Sequence, residues 1–162
     1  MRLCVVCGLI VALFTCGAFA QSYDDIYLPY NGVRVKLEES VSRLGKPYKT
    51  VQEMDPIMQK ELARTDFSAG FSVYNLNEGN DRIVRIRITK PDLILSNGLH
   101  AGMKADQVVK AIGKPSNDAV FGGRKTYSYW YYTALSDPMM VLNVYLKQDG
   151  VVEELELSLP LI

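Results

Sequence analysis

The chain has one histidine, three cysteines and eighteen carboxylates, so the groups able to act as base, nucleophile or metal ligand are quickly surveyed. His100 lies in Asn97-Gly98-Leu99-His100-Ala101-Gly102. A catalytic histidine needs an orienting carboxylate and a nucleophile, and no neighbouring motif supplies either. An exposed residue at a helix entrance accounts for His100, and a hydrolase would rest on it alone. The acidic groupings are Asp24-Asp25, Glu38-Glu39, and Glu153-Glu154 with Glu156. Glu38-Glu39 fits the first turn of a helix, where carboxylates favour the dipole. No spacing matches a calcium loop or a metal-binding helix. Cys4, Cys7 and Cys16 all fall within the first twenty residues. The expectation is therefore a protein with no catalytic residue, no metal and no cofactor.

Recognition chemistry is the better prospect. The chain holds ten tyrosines, and Tyr127, Tyr129, Tyr131 and Tyr145 lie in two strand-like stretches, Thr126–Thr133 and Met139–Lys147. Side chains alternate faces along a strand. Turning Leu142, Val144 and Leu146 inward, with Trp130 and Tyr132, leaves the four tyrosines together on the outer face; the alternation alone also permits the reverse parity in the first stretch. Tyrosines offer large contact area, few rotors and a polar tip, the usual chemistry of a protein-binding patch. In the closing strand Val151–Leu159, Leu155, Leu157 and Leu159 turn inward, which puts Glu154, Glu156 and Ser158 outside. Arg85 and Arg87 stand at the equivalent places of an earlier strand, flanked by Arg82 and Lys90. Two outcomes are open: a cationic half and an acidic, tyrosine-rich half steer one oriented partner, or the charges pair between halves and keep an open sheet soluble.

The positioning elements come from a repeat. Val35–Pro47 aligns without gaps on Met103–Pro115, 68 residues on, and Arg82–Pro91 aligns on Val151–Pro160, 69 residues on. Both copies follow an Asn-Gly pair, Asn31-Gly32 and Asn97-Gly98. This is the signature of tandem duplication. Leu37–Leu44 and Ala105–Ile112 have apolar residues at helical spacing, ended by Gly45-Lys46-Pro47 and Gly113-Lys114-Pro115. Pro56–Thr65 is expected as a further helix with Asp55 as its cap. Phe67–Leu76 and Arg82–Thr89 read as strands joined by the turn 77–81, Ser116–Lys125 as a loop, and Gln148-Asp149-Gly150 as a hairpin turn. The expected fold class is α+β: two pseudo-symmetric units, residues 21–91 and 92–162, each with one or two helices packed on a small antiparallel sheet.

Residues 1–20 have the order of a secretory signal peptide: Arg2, an apolar run from Leu3 to Phe14, then Ala18-Phe19-Ala20 before Gln21. Cleavage there removes every cysteine and leaves a net charge of −1 on a chain that is formally neutral as a whole. Neutrality argues against a nucleic-acid partner. Leu13-Phe14-Thr15-Cys16 also outlines a lipoprotein box, and membrane association is expected only if Cys16 is lipidated. The absence of an Asn-x-Ser/Thr sequon favours a bacterial envelope, so the chain is expected to be periplasmic or secreted.

The block Gly102-Met103-Lys104 through Val108 to Gly113-Lys114-Pro115 resembles the Gly-Met-x-x-x-x-Val-x-x-x-x-Gly-x-Pro signature of BamE (SmpA/OmlA)-type domains. Trp130-Tyr131-Tyr132, Val141–Leu146 and Asp149-Gly150-Val151 are similar to that family's later strand and closing hairpin. A tandem pair is the layout of β-lactamase-inhibitor-protein-like chains. The resemblance covers Gly98–Leu159 well and Asn31–Thr89 more loosely, since Val33-Arg34-Val35 replaces the Gly-Met entry. It implies an adaptor, inhibitor or accessory domain and no catalyst. Together these features point to an exported, non-enzymatic protein-binding module of the cell envelope, with Tyr127, Tyr129, Tyr131, Tyr145, Arg85 and Arg87 as partner-binding residues. The alternative is a periplasmic domain that senses a small ligand or an envelope polymer, with the tyrosines as a stacking platform.

Overall fold

The computed structural model describes residues 25–55, 59–76, 81–132 and 138–160. Residues 1–20, expected as a signal peptide and including Cys16, lie outside them. Ten strands dominate: β1 (Leu28–Tyr30), β2 (Val33–Val35), β3 (Lys49–Met54), β4 (Glu61–Ser68), β5 (Phe71–Leu76), β6 (Ile83–Ile88), β7 (Asn117–Phe121), β8 (Arg124–Tyr132), β9 (Pro138–Leu146) and β10 (Val152–Ser158). The one α-helix among the described residues is α1 (Ala105–Ile112), and Val41–Leu44 forms a 3-10 turn. No helix among the described residues is long and apolar enough to cross a membrane.

The expected α+β class is therefore wrong. The chain is mostly β, and helices do not form a layer on the sheet. Three local causes account for this. Glu61–Thr65, expected as the end of a helix, belongs to strand Glu61–Ser68: Leu62, Arg64 and Asp66 share one face, while Ala63, Thr65 and Phe67 share the other. Period two wins there because both faces have something to meet. Leu37–Leu44 shrinks to the 3-10 turn because Glu38 is left-handed, with φ of 65°; the Glu38 N–H donates to the Ile83 carbonyl, and the Ile83 N–H donates to that of Glu39. Asn117–Phe121, expected as loop, pairs along β8 through the turn at Gly122-Gly123.

β1 and β2 form a separate hairpin about Asn31-Gly32, whose φ angles of 46° and 78° suit a tight primed turn. The other eight strands make one antiparallel sheet in the order β3-β4-β5-β6-β10-β9-β8-β7. That order reads alike from either edge, four consecutive strands running inward to meet at β6 and β10. Ile83 and Val152 hold corresponding places. Each exchanges backbone hydrogen bonds with the stretch before a helical turn, Glu38-Glu39 for one and Gly102-Met103 for the other.

One apolar cluster lies on a single face of this sheet. Phe71, Val73, Ile86 and Ile88 from one half join Leu142, Val144, Leu155 and Leu157 from the other. Leu28 and Val35 of the hairpin, Leu44, Leu95, Leu99 and Val108 of α1 cover them. Truncating such side chains to alanine typically costs about 2–5 kcal/mol.

The turn between β4 and β5 shows how tightly the far end is built. Gly70 has φ of 81°, and a Cβ there would sit 2.8 Å from Thr89 Oγ1 and 2.9 Å from Lys90 Cβ. Gly32 has φ of 78° with nothing within 4 Å. Gly32→Ala should cost about 1 kcal/mol from the backbone alone, and Gly70→Ala about 3 kcal/mol or more. Urea denaturation of both variants checks the ranking; equal losses would refute the close approach at Gly70.

Candidate functional site

The second face of the sheet is polar, and its pattern follows from strand register. One cross-strand row runs through all eight strands as Lys49, Asp66, Ser72, Arg87, Glu156, Asn143, Ser128 and Asn117. The adjacent row runs Val51, Arg64, Tyr74, Arg85, Ser158, Val141 and Trp130. Each of these residues alternates with one committed to the apolar cluster or to the edge, so burying one face fixes the polarity of the other.

Charges on this face hold one another. Arg87 donates to Glu154 Oε2 at 2.7 Å, and Arg124 donates to the same oxygen at 3.1 Å. Arg85 donates to Asp55 Oδ2 at 2.6 Å and lies 3.7 Å from Glu156. Arg64 pairs with Glu53 and sits 3.2 Å from Asp66. The side chains of Asp55 and Glu154 are only 1% and 3% exposed, while those of Arg87 and Arg124 are 40% and 38% exposed. The carboxylates thus form the floor, and the guanidiniums the wall that solvent meets.

Aromatic rings complete the floor. Arg124 lies 4.0 Å over the Tyr145 ring and Arg85 lies 5.4 Å over that of Tyr74. Burial pushes both phenols up from their ordinary value. Burial also works against the charge of Arg85 and Arg87, but carboxylates outweigh it and raise both: Glu156 and Asp55 for Arg85, Glu154 for Arg87. Burial raises the Glu156 carboxyl, with Arg85 opposing and Glu154 adding to the rise. Asn143, itself accepting from Ser128 Oγ at 2.8 Å, reaches Glu156 at 3.5 Å.

Two adjoining hollows open on this face. The larger, about 560 Å³, is lined by Tyr48, Arg64, Asp66, Ser68, Ser72 and Arg87 among others; the smaller, about 220 Å³, lies over Asp55, Tyr74, Arg85, Glu154 and Glu156. Arg87 belongs to both.

The sequence-derived site residues separate. Tyr129 is 6% exposed and inside the apolar cluster, with Tyr127 and Tyr131 packed against it. Its hydroxyl donates to the Gly113 carbonyl at 3.1 Å, closing the end of α1. Burial pushes the phenols of Tyr129 and Tyr131 up to about 12. Tyr145 faces the opposite way, so the four tyrosines form no common patch. Parity in β8 is the reverse of that expected: Trp130 and Tyr132 are 40% and 57% exposed. Arg85 and Arg87 do lie on the polar face with Glu154 and Glu156. They pair across the junction instead of presenting two separate fields. His100 Nδ1 meets only the neighbouring carbonyl of Ala101, at 2.8 Å, among its described side-chain contacts. No group of three or more metal-ligating side chains occurs among the described residues.

Sequence reasoning missed Tyr48, Asp55, Arg64, Asp66, Arg124 and Trp130. The alternation of Ala63, Thr65 and Phe67 with Arg64 and Asp66 was the available signal for two of them. No family model, curated protein or solved structure matches this chain.

A carboxyl whose folded pKa is raised binds its proton more tightly folded than unfolded. Its contribution to stability is present below the unfolded pKa and is lost as pH rises through the folded one. Wild type should therefore lose stability relative to Glu156→Gln as pH rises above the ordinary glutamate value of about 4.3. Melting temperatures of the two proteins from that pH upward test this; a flat difference, or one of opposite slope, would show that Glu156 ionises without cost.

Proposed function

We propose that the chain is an exported, non-enzymatic protein-binding module that takes its partner on the polar face of the eight-stranded sheet. The observation that carries this is the division of labour between faces. Among the described residues the apolar cluster lies on one face, and the other presents fixed charges between exposed aromatic rings. Tyr48, 83% exposed, stands at the larger hollow, and Trp130 ends a cross-strand row of the same face. Aromatic anchors beside arginines are the composition of binding hot spots. The guanidiniums and carboxylates are locked in mutual pairs, which pre-organises a polar surface and gives register and specificity more than raw affinity. The resemblance of the second repeat to BamE-type domains points the same way, towards adaptors and inhibitors, and the leader-like first twenty residues point to export. The partner is a folded protein that offers an apolar contact to Trp130 and polar, acid-bearing loop residues to the hollows.

The test is a photo-crosslinking residue placed at position 130 in the native host, with position 129, buried on the opposite face, as control. The expected result is one protein captured from 130 and not from 129. Its purified form should bind wild type, with affinity falling at least about tenfold in Trp130→Ala and in Tyr48→Ala, the loss typical of an interface anchor. Capture of glycan or lipid alone, or binding unaffected by both substitutions, would overturn the assignment.

A further inference from the structure

We infer that the larger hollow is a carboxylate subsite, which receives an aspartate or glutamate side chain of the partner between Arg64 and Arg87. This rests on the protein-binding role proposed above and supplies the chemistry of its recognition.

Two guanidiniums line the hollow against one carboxylate, Asp66. That carboxylate is already engaged, accepting from Ser72 Oγ at 2.6 Å and facing Arg64 Nε at 3.2 Å. Both arginines are tethered at a terminal nitrogen, Arg64 to Glu53 and Arg87 to Glu154, which fixes the planes of their forks. Two polar groups of the lining remain without a hydrogen-bond partner, Arg87 Nε and Ser68 Oγ, while Arg64 Nε has only the Asp66 carboxylate at 3.2 Å. Buried donors left unpaired are costly and rare, and two in one place mark a spot suited to something that brings acceptors. A carboxylate is the planar two-oxygen acceptor that a guanidinium edge matches. A cation would meet two fixed guanidiniums, and an apolar side chain would leave Arg87 Nε and Ser68 Oγ unsatisfied. With a capacity of about 560 Å³ the hollow admits a side chain together with the backbone that carries it.

The probe is a blocked tripeptide, acetyl-Gly-Glu-Gly-amide, titrated into the full mature protein while the arginine Nε–Hε signals are followed by NMR. Acetyl-Gly-Gln-Gly-amide is the matched neutral control. The expected result is saturable movement of the Arg64 and Arg87 signals with the glutamate peptide, and at least about tenfold weaker binding of the glutamine peptide. Arg64→Gln should abolish the response at Arg87 while leaving the rest of the spectrum in place. Ser68→Ala, which removes a donor without touching an ion pair, should weaken binding a few-fold. No movement, equal movement with the two peptides, or an unchanged response in Arg64→Gln would overturn the subsite. Such a failure leaves the position-130 capture standing, whereas failed capture with a positive titration would sink the protein-binding role instead.

Discussion

The structure turns on the pairing of β6 with β10, where the chain's two four-strand halves meet. On one face of this seam Ile86 and Ile88 stand opposite Leu157 and Leu155; on the other Arg85 and Arg87 stand opposite Ser158 and Glu156. The apolar side supplies the driving force, since all four residues are essentially excluded from solvent. The charged side supplies register. Sliding the seam by one residue would turn arginines into the core and leucines into water, a loss no other contact could offset. Breaking a buried ion pair by removing one partner typically costs about 3–5 kcal/mol, although exchanging the whole pair for apolar groups is often neutral. The seam's arginines and glutamates therefore specify an arrangement more than they stabilise it.

From that constraint the polar face inherits its order. Glu154 can be nearly buried only because Arg87 and Arg124 both reach it, one from each half. Asp55, almost fully enclosed, depends in the same way on Arg85. Rings of Tyr74 and Tyr145 lie beneath two of the guanidiniums and exclude water from their inner sides. A surface of this kind changes little when a partner arrives, and side chains already frozen lose little further entropy on binding. That is the physical reason a face rich in mutually neutralised charge can still serve recognition.

Parts of this were legible in the residues. The alternation of Leu155 and Leu157 with Glu154 and Glu156, and of Ile86 and Ile88 with Arg85 and Arg87, states which side chains share a face, because only one parity buries the apolar set. β8 offers a weaker contrast: Arg124, Thr126 and Ser128 alternate with Tyr127 and Tyr129, but residues 129 to 132 are all aromatic. The observed parity puts Tyr129 in the apolar cluster, where its hydroxyl also reaches the end of α1, a contact between residues 16 apart. The helix expected over Pro56–Thr65 had a plausible cap in Asp55. That aspartate is instead the buried partner of Arg85, thirty residues on, and Glu61 onward is strand. The first helical stretch fails for a local reason, the left-handed backbone at Glu38, which the gap-free repeat alignment conceals. Faces set by aliphatic-against-charged contrast were readable, and the face of an aromatic-rich strand was not.

The claim on which this account stands is that the polar face is open to a partner and not an interior surface. Trp130 is the only tryptophan and lies on that face, so its fluorescence reports there without labelling. Acrylamide quenching of the free protein is the most direct measurement. The account predicts solvent-relaxed emission and quenching at a substantial fraction of that of free tryptophan, in keeping with 40% exposure. Blue-shifted emission with almost no quenching would mean that the face is covered within the chain itself, and would contradict it.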